Sequence, residues 1–312
     1  MARGLAAQFV VVGHVISAAG LPLNVTIQDL GVVLFFILSG FLVTVSALRR
    51  DSFRDYFIDR AARMFTPYIP CLIIILLMGI ALDLPGPHDI TTLWANIWML
   101  QDFPGYRYLP LPEFERLGTG RQLWSVAMEW WLYMGFGAVF FASKLPLWAV
   151  PFILVGLFIA AFNATVGSLT FLWAAGALAA FVWGRLPPAP WAVLCAICSA
   201  LCIYRYKIAP DEFYDVRLGL LLAVTFFTGL LAVQNVTWPR WVAVTSAAVA
   251  SYSYSLYLIH YTVMVAIPGE GLIRVALVYL ASNVIAVVLY WLFERHHRHV
   301  ANALKGLSRQ AR

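Results

Sequence analysis

Residues 30–50 read LGVVLFFILSGFLVTVSALRR, an uncharged apolar run from Leu30 to Leu48 that stops on Arg49 and Arg50. At 1.5 Å per residue such a run covers a hydrocarbon core about 30 Å thick. Paired arginines directly behind it mark a cytoplasmic boundary. This segment reads as a transmembrane helix, and the rest of the chain shares its character. Of 312 residues, 62% are hydrophobic and 12% charged, and the mean hydropathy is +0.82. So few charges cannot cover a soluble protein of this length. Aromatic residues make up 15%, with 12 Trp, many near the ends of apolar runs, as interfacial anchors are. The net charge of +6 is scattered between apolar runs, which argues against a nucleic-acid partner.

About ten spanning runs can be marked, roughly 4–20, 30–48, 64–83, 122–142, 145–162, 167–184, 189–204, 217–235, 246–268 and 272–293. The apolar stretch Thr92–Phe103 is too short to span and reads as interfacial or re-entrant. With the N-terminus inside, Lys and Arg in the connections fall two to one on the inner side. The expectation is an all-α, polytopic transmembrane helical bundle. It forms a single integral-membrane domain over 1–312, with both termini cytoplasmic and no appended soluble domain. Cys71, Cys195, Cys198 and Cys202 all sit in apolar runs without a neighbouring His or carboxylate. They read as structural thiols, and no metal site is expected.

Most of these runs carry no ionisable residue, so the exceptions stand out. A charge at mid-bilayer costs about 2.5–3.5 kcal/mol on insertion scales. Arg3 and His14 open and close RGLAAQFVVVGH. Eleven residues make close to three helical turns, so the two share a face about 16 Å apart along the axis. Two readings fit: a snorkelling Arg3 with a packed His14, or a slot reaching from the membrane surface to an imidazole at depth. Counting from the run ends puts His14, Ser39, Glu129 and His260 in one slab of the outer half. On the fourth run Ser125, Glu129 and Tyr133 are spaced by four and share a face. Ser253, Tyr257 and His260 do the same on the ninth. Hydroxyls at such positions are also ordinary helix-helix contacts. Arg60 and Arg63, three apart in RRDSFRDYFIDRAAR, place two guanidiniums at the cytoplasmic mouth, where phosphates would suit them. The run Glu294–His299 reads as a basic juxtamembrane collar.

At these residues the sequence resembles acyltransferase family 3, the multi-spanning membrane O-acyltransferases. The carrying stretches are RGLAAQFVVVGH, FFILSGFL, FIDRAARMFTPY, LWSVAMEWWLY and SYSLYLIHY, in family order along nearly the whole chain. The resemblance implies transfer of an acyl group, commonly acetyl, from cytoplasmic acyl-CoA to a hydroxyl of a glycan or lipid-linked sugar. It implies donor binding by Arg3, Arg60 and Arg63 and catalysis by His14. Ser39, Glu129 and His260 match further polar motif positions. Two departures stand out: Arg3 is only the third residue where relatives have a longer lead-in, and Glu129 is followed by two Trp.

The mechanism expected is therefore general-base catalysis by His14, with Glu129 orienting or supporting it. Ser39 or a tyrosine hydroxyl would serve the oxyanion. Ser125, Tyr133, Tyr257 and His260 complete the candidate set. Acyl-CoA is expected as donor substrate rather than a resident cofactor. The bilayer and a glycan acceptor are the other partners, and the setting is the bacterial inner membrane. The competing class is a proton-coupled transporter or flippase, in which the intramembrane His and Glu form a relay. A third is a non-catalytic membrane partner.

Overall fold

A computed structural model describes residues 2–19, 27–102, 112–151, 153–154, 156, 167–185, 190–208 and 215–310. Among these residues there is no strand. The helices are α1 (Ala2–Ala18), α2 (Ile27–Ala47), α3 (Phe53–Ala81), α4 (Ile90–Ile97), α5 (Leu123–Phe140), α6 (Gly167–Val182), α7 (Trp191–Ile208), α8 (Val216–Ala232), α9 (Arg240–Ser251), α10 (Ser253–Ala266), α11 (Gly271–Leu292) and α12 (His297–Gln310). Four of the described helices are long and apolar enough to cross a membrane, or five with α9 and α10 taken as one broken span. Helices α1, α6 and α8 are apolar but shorter. These helices make the chain an integral membrane protein. Most of the run expected at 145–162 lies outside the described residues.

Two boundaries differ from the sequence reading. The expected cytoplasmic loop after α2 is mostly helix, because α3 already begins at Phe53. Ser52 starts it by accepting a hydrogen bond from Asp55 N at 3.2 Å. Phe53 and Tyr56 then bury in the first turns, so Arg60 and Arg63 ride on a packed helix, and Pro67 falls inside it. The run 246–268 is two helices, broken at Tyr252.

The chain forms two compact units. The first comprises Met1–Val10, Thr26–Arg49 and Ala164–Ala250. Its tightest element is the α2–α6 pair. A Cβ on Gly40 would run into the Trp173 carbonyl oxygen, and one on Gly176 into that of Ile37. Without side chains there, the two backbones meet directly, the usual device of membrane helix pairs. Ser39 beside this contact accepts a hydrogen bond from Trp173 Nε1 at 3.2 Å. In the same unit α7 faces α8, where Cys195 Sγ lies 3.5 Å from the Thr225 carbonyl.

The second unit comprises Val11–Val25, Arg50–Asn163 and Ser251–Arg312. It holds the second half of α1, together with α3, α4, α5, α10, α11 and α12. Helices α3 and α5 meet where Gly137 admits the Tyr56 ring, whose hydroxyl donates to Tyr133 O at 2.9 Å. Helix α12 packs Ala301 against Ile58 and Ala62 of α3, and Lys305 pairs with Asp59 at 2.6 Å. The segment expected to be re-entrant is the short α4 and its following turn. Buried Asn96 ties it down, donating to Glu115 O at 2.9 Å and accepting from Leu117 N at 3.2 Å.

Replacing Gly40 or Gly176 by Leu should overpack α2–α6 and cost about 1–3 kcal/mol. The expected result is a lower unfolding midpoint for the purified protein in detergent, followed by tryptophan fluorescence.

Candidate functional site

The polar centre of the second unit is built on α1, α5 and α10. His14 from α1 and His260 from α10 meet edge to edge, with ring centroids 5.3 Å apart and planes within 14° of parallel. His14 Nδ1 lies 3.1 Å from His260 Nε2. His260 is fully buried, and its Nδ1 lies 2.9 Å from the Tyr257 carbonyl and 3.3 Å from that of Leu256. A carbonyl only accepts, so His260 Nδ1 carries a proton. For two neutral rings one assignment remains. His260 Nε2 is the acceptor, His14 Nδ1–H donates to it, and the His14 lone pair sits on Nε2. The geometry thus leaves His14 Nε2 as the remaining accepting nitrogen of the pair.

Neighbouring groups hold this pair in place. Tyr257 shares a 2.5 Å hydrogen bond with Ser125 of α5, whose hydroxyl also lies 2.9 Å from Gln122 O. Gln122 in turn donates to the Leu258 carbonyl. Thr119 and Thr262 meet at 2.9 Å. These bonds join α5 and its leading turn to α10 along its length. At the far end Arg274 of α11 donates to Ala18 O at 2.5 Å, to Met264 O at 3.1 Å and to Ile267 O at 2.9 Å. Those carbonyls close the C-termini of α1 and α10, so one cation caps both histidine-bearing helices.

An open cavity of about 510 Å³ lies in the same unit. Its wall includes Asp102, Glu113, Glu115 and Arg116, and Arg121 and Tyr261 also line it. Tyr261 stands edge-on to His14 with centroids 5.5 Å apart. The Arg121 guanidinium lies 3.4 Å from the Tyr261 hydroxyl. Asp102 pairs with Arg116 at 2.8 Å. Burial nevertheless pushes the Asp102 carboxyl above its ordinary range, and Glu113 and Glu115 add to the push.

Of the residues singled out in the sequence, the structure gathers His14, His260, Tyr257 and Ser125. Glu129 shares α5 with Ser125, but its carboxylate accepts from the Tyr133 hydroxyl. The partner at His14 Nδ1, a place expected for Glu129, is taken by His260. Ser39 and Arg3 belong to the first unit. Arg63 pairs with Glu294 at 3.0 Å and also approaches His297 Nδ1 at 3.4 Å. Arg121, Tyr261 and Arg274 are not among the residues the sequence singles out, although Tyr261 closes the stretch SYSLYLIHY. No group of three or more metal-ligating side chains occurs among the described residues.

The profile of an acyltransferase domain family, Acyl_transf_3, matches residues 1–292. The chain belongs to this acyltransferase family. The chain is also similar to a protein of Shigella phage Sf6 named "O-acetyl transferase", with 37% identity over 78 residues. That match spans 23% of this chain and 23% of the phage protein. No solved structure matches the chain.

The tautomer assignment predicts that ring-15N NMR of the histidine-labelled protein shows His14 and His260 both protonated at Nδ1. His260→Ala should leave His14 Nδ1 without its acceptor and return a tautomer mixture.

Proposed function

We propose that the protein is a membrane O-acyltransferase that moves an acyl group, commonly acetyl, from acyl-CoA to a hydroxyl of a glycan or lipid-linked sugar. The observation that carries this reading is the His14–His260 pair, with the His14 lone pair placed on Nε2 and Tyr261, edge-on to His14, lining an open cavity. Family membership and the phage relative's name support it. The acceptor hydroxyl enters through the cavity past Arg121 and Tyr261. His14 Nε2 takes its proton as the oxygen attacks the thioester carbonyl carbon. The tetrahedral adduct collapses, the C–S bond breaks, and the proton on His14 passes to the leaving thiolate. His260 keeps its own proton on Nδ1 throughout and orients His14, the part a carboxylate plays in other triads.

The Arg121 guanidinium and the Tyr261 hydroxyl are donors beside the reacting imidazole, suited to negative charge that develops on the acyl oxygen. Glu129 stays in the proposal as the carboxylate on the Ser125 face of α5, its rotamer fixed by Tyr133. Donor binding by Arg60 is carried into the proposal, while Arg63 shares its guanidinium with Glu294. The membrane arrangement proposed is about ten spans with both termini in the cytoplasm. The location proposed is the bacterial inner membrane, with the acceptor meeting the cavity from outside.

The test is CoA release from acetyl-CoA by the purified full-length protein in detergent, against a panel of hydroxylated acceptors. Acceptor-dependent release is expected. His14→Ala should lower it about 10²- to 10⁴-fold while acetyl-CoA still binds. Transfer retained in a folded His14→Ala protein would overturn the mechanism. Proton-dependent uptake of a saccharide without CoA release would replace it with transport. Arg121→Gln should lower kcat by about 10²-fold, the loss typical of one oxyanion donor. An effect confined to the acceptor KM would assign Arg121 to acceptor binding instead.

A further inference from the structure

Glu294 is fully buried at the end of α11, inside a run that reads as a basic surface collar. One of its carboxylate oxygens accepts from Ser255 N at 3.1 Å and from Ser255 Oγ at 2.7 Å. The other pairs with Arg63 at 3.0 Å. Ser255 is the third residue of α10, within the turn whose backbone N–H groups lack intrahelical partners. Tyr252, the residue before α10, supplies no side-chain cap. The anion that terminates α10 therefore comes from a different helix, and it sits where the helix dipole favours negative charge.

The capped turn has a specific neighbour. His260 Nδ1 is held by the carbonyls of Leu256 and Tyr257, the next two residues after Ser255. If α10 frayed by one turn, those carbonyls would leave, and the His260 proton would be free to sit on either nitrogen. We propose that Glu294 is a positioning residue of the acyl-transfer site: by capping α10 at Ser255 it fixes the turn that locks His260, and through His260 the base His14. Arg63 is the counter-charge that makes a buried carboxylate tolerable there, and its place in the protein is structural support for this cap rather than phosphate binding. The proposal rests on the acyl-transfer reading of the His14–His260 pair.

Two readouts on the full-length protein test it. The first is acetyl-CoA turnover in Glu294→Gln, Arg63→Gln and the double variant. Each single variant should lose about 10- to 100-fold in kcat, with the KM for acetyl-CoA unchanged. The double variant should be no worse than the worse single one, as expected for two members of one unit. A raised KM in Arg63→Gln beside a normal Glu294→Gln would overturn the proposal and return Arg63 to the donor. The second readout is ring-15N NMR, which needs no turnover. Glu294→Gln should convert His260 from a pure Nδ1–H tautomer to a mixture. An unchanged His260 signal in that variant would refute the positioning role even if activity fell. A wild-type protein with no His14-dependent transfer would strike only the enzymatic reading, since the NMR arm still decides the cap. If Glu294→Gln fails to fold, Ser255→Ala removes the hydroxyl bond while keeping the amide one, and carries both readouts.

Discussion

The 3.1 Å approach of His14 Nδ1 to His260 Nε2 sets the tolerance for everything around it. A hydrogen bond between two imidazoles forms only when one ring donates and the other presents a lone pair, in line and in plane. The rings belong to α1 and α10, remote in sequence, so the bond demands that two helices keep depth and rotation together. The protein meets that demand with polar groups placed at helix ends. Arg274 joins the C-termini of α1 and α10, and Glu294 closes the N-terminus of α10. Both come from the same stretch of chain, α11 and its exit, which runs alongside α10. Opposite charges at the two ends of α10 also match the polarity of its dipole.

Much of this is legible in the sequence, and what is not legible has a common cause. Run length and arginine placement gave the all-helical membrane character, because hydrocarbon permits few alternatives. Depth counting put His14 and His260 in one slab, and the structure brings them into contact. The same count put Glu129 there too, but shared depth says nothing of rotation, and its carboxylate turns to Tyr133 on its own helix. Arg63 was read with Arg60 from their spacing. Its partner Glu294 is remote in sequence, and no local pattern could reveal it. The break at Tyr252 was equally hidden: residues 246–267 contain neither glycine nor proline. Helix α3 was started too late because its charged first turns resemble a loop until Phe53 and Tyr56 are seen to bury.

The cavity lies where the least regular parts of the second unit converge. Its wall comes from the turn after α3, the segment around Asp102 and the approach to α5. Asn96 and Gln101 fasten these segments. Gln101 bonds to the Tyr68 hydroxyl and to Leu123 O, each at 3.0 Å. Loops at a helix bundle's end can vary in sequence while the bundle stays constant, so the cavity wall can change without disturbing the His14–His260 pair.

The glycine contact between α2 and α6 has a mechanical consequence. Helices that slide past one another do so by changing side-chain rotamers at the interface. At Gly40 and Gly176 no rotamer exists to change, since backbone meets backbone. The two helices are therefore geared together, and Ser39, held by Trp173 across that seam, moves only when the pair moves as one body. Gly31 repeats the device in the same unit, where a Cβ would meet the Ala6 carbonyl oxygen and the Val10 backbone nitrogen, so α1 is held against α2 in the same way.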